Sequence, residues 1–305
     1  MDDKTSRTAT AQVPARGMHN LDHVAYFVPE RAAMHAALVR LGFAPTPFSL
    51  QQHRLRPDAD LAPAGTGNHC VMLQEGYLEF LVPVAETPVA AQLRLSIDRY
   101  VGAHSIVFGT QDAAADAARL AAEGFDPLPA IALQRTIDTP DGERTARFTV
   151  LRVPPGTMAE GRIQYCRHHT PAFVWQARWL AHPNHAVGLA GVSVCVRDVA
   201  EAAARYGRFT GIAPRLEPGE ARIVTSRGQV RLVDAARGAE LFGVAPPALP
   251  WIAACEIVSS DLAATRRCLE GNGLNVTVLD EARLRCHAPA AIGGAFVFRA
   301  AQAQA

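Results

Sequence analysis

Two hydrophobic periods alternate along the chain. Asn20 to Val28 (NLDHVAYFV) is a run of β-formers; Pro29-Glu30 then opens a stretch in which Ala33, Met34, Ala37, Leu38 and Leu41 recur at helical spacing, and Gly42-Phe43 closes it. The same phrase returns three times. Strand Ala103 to Gly109 leads to Asp112, an alanine-rich helix and Gly124-Phe125; strand Gly191 to Val196 leads to Asp198, a helix and Gly211-Ile212; strand Ile252 to Val258 leads to Asp261, a helix and Gly273-Leu274. From the acid that opens each helix to the glycine that closes it the offsets are 12, 12, 13 and 12 residues. A period held this closely is the mark of a repeated supersecondary unit.

Each helix is followed by strand-like material. Phe48 to Leu55, Asn68 to Leu73 and Tyr77 to Val82 give three strands in the first unit; Ala132 to Ile137, Thr145 to Val153 and Arg162 to Cys166 give three in the second, with Pro140-Asp141-Gly142 as a turn. Each unit therefore reads βαβββ, and the fold class is α+β. The third and fourth units are compressed: helix glycine to last-strand glycine takes 34 residues (42 to 76) and 37 (124 to 161) in the first two, but 17 (211 to 228) and 21 (273 to 294) in the others. Ala85 to Val101 reads as a connecting helix. Arg167 to Gly188 carries the domain boundary, with Trp175 and Trp179 as an apolar helix face packing the two halves together. Four units then pair as two domains, residues 18–172 and 186–300, joined by a linker at 173–185.

One hairpin stands out. Between Gly65 and Val82 two strands flank Gln74-Glu75-Gly76, and strand alternation puts Tyr77, Glu79 and Leu81 on one face, Leu78 and Phe80 on the other. Glu79 is a carboxylate among apolar neighbours, and burying it is costly unless it is paired, hydrogen-bonded or bound to a metal.

Composition narrows the classes of function. The 305 residues are 49% hydrophobic and 19% charged with a formal net charge of +1, so no nucleic-acid or membrane-binding patch is indicated. The six cysteines lack any C-x-x-C pair and lie in apolar stretches, which fits reduced thiols in a cytoplasmic protein. Met1 to Gly17 reads as a disordered leader, too polar and acidic for a signal peptide.

Paired βαβββ units resemble the vicinal oxygen chelate superfamily of glyoxalase I, extradiol dioxygenases and methylmalonyl-CoA epimerase. The wording Gly65-Thr66-Gly67-Asn68 with Gly76-Tyr77-Leu78-Glu79 is similar to its bacterial glyoxalase-like members. The resemblance covers residues 18–300. It implies two glyoxalase-like cup domains, with a divalent metal in a cup taking one ligand from the first and one from the last strand of each unit. Here those positions are His23 and His104, at what reads as the same place in two repeats, and Glu79 and Gln164, each three residues past a glycine. Two imidazoles, a carboxylate and an amide oxygen suit Zn²⁺, Ni²⁺, Co²⁺, Mn²⁺ or Fe²⁺. In the second pair the positions fall on Gly191, Ala254, Arg231 and Val297, which make no usual metal site. That half is left for packing, contact in a homodimer, or a lid.

The resemblance therefore implies a metal-dependent lyase or isomerase acting on a small α-oxygenated carbonyl compound, with Glu79 as ligand and base. Two alternatives are an Fe(II) extradiol-type dioxygenase and a protein that sequesters a small molecule without turning it over. Of the remaining polar residues, His168 and His169 are candidates for the cup mouth, His69 for its flank, and Arg135, Arg144 and Arg147 for contact with an acidic substrate group.

Overall fold

The computed structural model describes residues 9, 11–54, 56 and 58–301. The first unit is β1 (Asn20–Phe27), α1 (Arg31–Arg40), β2 (Ser49–His53), β3 (Ala62–Met72) and β4 (Tyr77–Pro83), and α2 (Pro88–Arg99) connects it onward. The second is β5 (Gly102–Gly109), α3 (Ala113–Ala122), β6 (Ile131–Thr139), β7 (Gly142–Arg152) and β8 (Arg162–His168), followed by the single turn α4 (Pro171–Val174). The third is β9 (Ala186–Cys195), α5 (Val199–Thr210), β10 (Arg215–Glu217), β11 (Glu220–Val224) and β12 (Gln229–Val233), with α6 (Ala235–Phe242) after it. The fourth is β13 (Trp251–Ser259), α7 (Leu262–Gly271), β14 (Val276–Asp280), β15 (Arg283–His287) and β16 (Ala295–Ala300). The short β10 and β11 and the five-residue β14 and β15 account for the compressed spacing of the C-terminal pair.

Helix boundaries follow from the acids and glycines of the repeated phrase. Glu30, Asp112, Asp198 and Asp261 each accept backbone N–H bonds from the first turn of their helices. Gly42, Gly124, Gly211 and Gly273 all have φ between +70° and +78°, the left-handed conformation in which helices end.

Within every unit the last strand lies parallel to the first and the middle strands run out from it, as in β1-β4-β3-β2. Two units meet where their first strands pair antiparallel, β1 with β5 and β9 with β13. Each pair so curves into a cup, and the two cups join edge to edge through the Ile252–Ala103 pairing and the Glu75–Gly188 bridge.

The first strands share a detail that fixes their register. In β1 and β5 the ladder slips at Asp22 and at His104, each an extra residue opposite none; Val24 faces Ile106 at the centre, with His23 opposite Val107 and Ala25 opposite Ser105. In the other cup the corresponding extra residues are Ala190 and Ala253, and the ladder slips once more at Val187. Against each bulge lies the glycine that opens a last strand. A side chain on Gly161 would meet the His104 carbonyl oxygen at 2.2 Å, one on Gly76 the Asp22 oxygen at 2.9 Å and one on Gly294 the Ala253 oxygen at 2.9 Å. Asp22, His104, Ala190 and Ala253 are thus the four equivalent residues. The residue equivalent to His23 is Ser105, and the expected equivalence of His23 with His104 is off by one position.

Two further expectations change. Residues 1–8 and 10 of the expected disordered leader lie outside the described residues, whereas Gln12 is buried: its amide donates to the Gln74 carbonyl at 2.6 Å and accepts from the Gly76 N–H at 2.9 Å. The chain from 11 to 17 therefore lies along the fold. Trp175 and Trp179 are not on one helix. Trp175 is buried beneath the first cup against Tyr77 and His168, at centroid distances of 5.6 and 4.8 Å.

Candidate active site

The first cup holds a cavity of about 690 Å³ whose lining includes His23, Glu79, His104 and Gln164. Strand alternation supplies these side chains: His23 and Phe27 on β1 and Tyr77, Glu79 and Leu81 on β4 face inward, while Val24, Tyr26, Leu78 and Phe80 face the core behind. All four expected residues therefore reach one cavity, although they do not converge on one point.

Glu79 and His23 form a pair, with 3.9 Å between Glu79 Oε2 and His23 Nε2. The two oxygens of Glu79 are treated differently. Oε1 accepts from Asn68 Nδ2 at 2.5 Å and from Gln51 Nε2 at 3.0 Å, whereas Oε2 is left to face His23 and the cavity. Thr66 orients Gln51 by donating its hydroxyl to Oε1 of that amide at 2.8 Å. Gly67 leaves room for the Phe48 ring, 2.3 Å from where its Cβ would stand. The stretch Thr66-Gly67-Asn68 is thus a cradle for the carboxylate, which explains why it accompanies Glu79 in the sequence.

His23 is oriented from behind. Its Nδ1 donates to Asp22 Oδ2 at 2.6 Å, and the ring stacks on Tyr77 at 4.2 Å. Asp22 also accepts from His168 Nε2 at 3.1 Å. Burial would raise the Asp22 pKa, but His168 and His23 hold it below the ordinary carboxylate range. Burial likewise works against charge on His168, and Asp22 overrides it, lifting that imidazole to about 10. An ionised Asp22 only accepts hydrogen bonds, so Nδ1 carries the proton and Nε2 is turned to the cavity side, with the Tyr77 hydroxyl 3.4 Å from it.

His104 stands apart. From its bulge the ring lies between Tyr100 and Phe27, at 4.0 and 5.4 Å, and Nε2 bonds to the Tyr100 carbonyl at 2.8 Å. Burial lowers its pKa to about 4 despite that bond. Gln164 occupies the place in β8 that Glu79 has in β4, and its Oε1 accepts from Arg152 Nε at 3.1 Å. Among the described residues no group of three or more His, Cys, Asp or Glu is placed to hold a metal ion. The four expected ligands therefore supply two converging donors, His23 Nε2 and Glu79 Oε2. The other two are committed to Tyr100 and Arg152, and the set does not fit a four-ligand metal centre as it stands.

Other sequence candidates fall elsewhere. His168 lies beneath the cup, on Asp22; His169 bonds to Thr149 at 2.8 Å. His69 bonds to the Thr46 carbonyl at 2.6 Å and lines a separate surface groove. Arg135 does line the cavity, whereas Arg144 and Arg147 do not. Sequence reasoning missed Asp22, Gln51, Asn68, Arg152 and Arg162. Arg162 follows Gly161 as Tyr77 follows Gly76, and Arg152 faces Gln164 as Cys70 faces Glu79, so superposing the two units was the signal that could have found both.

A cup built from paired βαβββ units defines the vicinal oxygen chelate superfamily. The family model described as "Glyoxalase-like domain" matches residues 21–210, and the chain belongs to that family. Its fold is similar to that of a hypothetical protein from Staphylococcus aureus, at 10% identity and a TM-score of 0.63 over 93% of this chain and 100% of that one. It is also similar to a mutant of 4-hydroxymandelate synthase from Streptomyces coelicolor, at 14% identity and a TM-score of 0.53 over 92% and 93%. A xylose isomerase-like TIM barrel/4-hydroxyphenylpyruvate dioxygenase fusion protein matches at 10% identity and a TM-score of 0.59, over 96% of this chain and 51% of that one. No curated protein sequence matches the chain. Among the described residues no helix is long and apolar enough to cross a membrane.

Proposed function

We propose that the protein moves a proton on a small α-oxygenated carbonyl compound, as a lyase or isomerase of the glyoxalase type with Glu79 as the base. The observation that carries this reading is the asymmetry of Glu79: one oxygen is fixed by Asn68 and Gln51, and the other faces the cavity 3.9 Å from His23 Nε2. A general base needs that combination of a fixed position and a free lone pair. Glu79 takes the proton from the carbon beside the carbonyl and returns it to the neighbouring carbon. His23, whose Nδ1 is occupied by Asp22, exchanges the hydroxyl proton through Nε2. Transfer at two adjacent atoms needs two groups, and the cup supplies them without a second carboxylate.

A divalent ion would supply stabilisation of the enolate. Of the four expected ligands, His23 and Glu79 turn toward a common point, whereas His104 is held by the Tyr100 carbonyl and Gln164 by Arg152.

The test is deuterium uptake from heavy water into hydroxyacetone, lactaldehyde and glycolaldehyde, followed by NMR. We expect exchange catalysed by the wild type to fall by about 10²–10⁴ in Glu79→Gln, the usual span for loss of a general base. Exchange unchanged in that variant would sink the assignment. Saturable binding with no exchange would favour the sequestering role.

A further inference from the structure

We propose that the wall of the cup opposite Glu79 is a binding site for the carboxylate of an organic acid with an apolar body, built from Arg152 and Arg162. The inference deepens the reading above, on which it rests only for where the reacting carbon lies.

The two units give the cavity unlike walls. The first presents His23, Tyr77, Cys70 and Glu79; at the equivalent places the second presents Arg162, Arg152 and Gln164, while Ser105, at the place of His23, is buried on the Arg162 carbonyl and stays out of the cavity. Among the described lining residues Glu79 is the sole carboxylate, against Arg99, Arg135, Arg152 and Arg162. Arg99 is engaged with the carbonyls of Ala159 and Pro250. Arg152 spends its Nε on Gln164, which leaves the outer nitrogens of its fork for a ligand. Among the described residues Arg162 makes no ion pair; its guanidinium lies 5.4 Å over the Phe27 ring. Burial lowers the pKa of both, Arg152 to about 10, with Arg162 beside it adding to the effect. The two guanidiniums stand half-buried in the cavity with Glu79 on the facing wall as the one carboxylate acting on both, a balance that an anionic ligand would improve. With Glu79 ionised the Arg152–Arg162 wall carries one positive charge in excess, which one carboxylate balances, and the planar fork suits that group. Arg135 on β6 has its Nε buried without a partner and adds a further cation at the side. Phe27, Leu81, Leu133, Phe148 and Val150 also line the cavity, beside polar groups such as Gln51, Gln92 and Gln134, and give an apolar body of the ligand a surface to pack on. A ligand anchored on the second unit reaches across the β1–β5 seam and presents its carbons to Glu79 and His23.

The test is calorimetric titration of the full chain with 3-phenylpropanoate, 3-phenylpropanamide and phenyl phosphate. We expect saturable binding of the carboxylate, at least tenfold weaker binding of the amide, and an affinity that falls with salt. Arg162→Gln and Arg152→Gln should each weaken the carboxylate at least tenfold; Arg162→Lys should retain part of the affinity, and Arg144→Gln on the outer hairpin should bind like wild type. Glu79→Gln should bind the carboxylate as well or better while failing the exchange assay, so that the two readings fail separately. Melting curves identify any arginine variant that is unfolded, and Arg162→Lys then carries the comparison. Equal affinity for carboxylate and amide, arginine variants that bind like wild type, binding of phenyl phosphate alone, or no binding of 3-phenylpropanoate by folded wild type would each overturn the proposal.

Discussion

Glu79 owes its position to side chains that come from two other strands. Asn68 reaches it from β3 and Gln51 from β2, and both bonds go to the same oxygen. Asn68→Leu removes the shorter bond and leaves Oε1 half satisfied; we expect about a 10–100-fold loss of exchange activity, the range typical of removing a group that orients a working side chain, with little change in melting temperature. Two histidines give opposite pH dependences. His104 is held neutral, its pKa lowered from 6.5 to about 4, so its contribution to stability is complete above pH 6.5 and is lost as pH falls toward 4. His168 is raised from 6.5 to about 10, so its contribution is complete below pH 6.5 and is lost as pH rises through 10. Urea midpoints across pH should therefore peak near 6.5. His104→Gln should flatten the acid limb and His168→Gln the alkaline one, and a profile unchanged in both would refute the assignment.

At the scale of the element, helix ends and strand count were legible because they depend on local chemistry. An acid that accepts the first N–H groups and a glycine that takes the left-handed φ write their positions directly into the chain, and all four helices of the repeat obey them. Strand register was not legible, because an extra residue in a bulge shifts every later side chain to the other face. That is why His104 reads as the partner of His23 until the ladder shows Ser105 in that place. The cradle of Glu79 escaped for a related reason: Gln51 and Asn68 meet only after β2, β3 and β4 are laid side by side. Gly161, at φ +147° and with the place of a Cβ only 2.2 Å from the His104 oxygen, is where the last strand of the second unit is pressed onto the bulge. We expect Gly161→Ala to destabilise the protein by more than about 2 kcal/mol, as forced backbone displacement does. Chemical denaturation would measure it.

On the scale of the whole molecule the two cups share one core, in which Tyr26, Phe43, Phe108 and Tyr165 of the first pair join Tyr206, Phe209, Phe296 and Phe298 of the second. The last carbonyls of α5, those of Arg208, Phe209 and Thr210, accept from Arg119, Tyr165 and His19 of the first cup. Glu160, 1% exposed, is held by both terminal nitrogens of Arg205 at 2.7 and 2.9 Å, again across the boundary. Arg205→Ala would leave that carboxylate buried and alone, at a cost of about 3–5 kcal/mol. Calorimetry should show it as a lower melting temperature of a single transition; two transitions would mean that the cups unfold independently. The C-terminal pair is thus the floor on which the first cup is built, with Arg231 tied to Glu220 at its ligand position.

The contact between each bulge and its glycine has a consequence for redesign. It pins the chain closely at three addresses and more loosely at the fourth, where the Ala190 oxygen would be 3.4 Å from a side chain on Gly228, and it does so whatever side chains stand next to them, since the partners are a backbone oxygen and a hydrogen atom. Gly191 and Ala254 occupy in the C-terminal cup the addresses that His23 and Ser105 occupy in the N-terminal one. At Ala254 a new donor group extends from a methyl already in the frame, whereas at Gly191 a Cβ would meet Gln229 Cγ at 3.2 Å and the Gln229 carbonyl oxygen at 3.3 Å, so that address accepts a side chain only if Gln229 gives way.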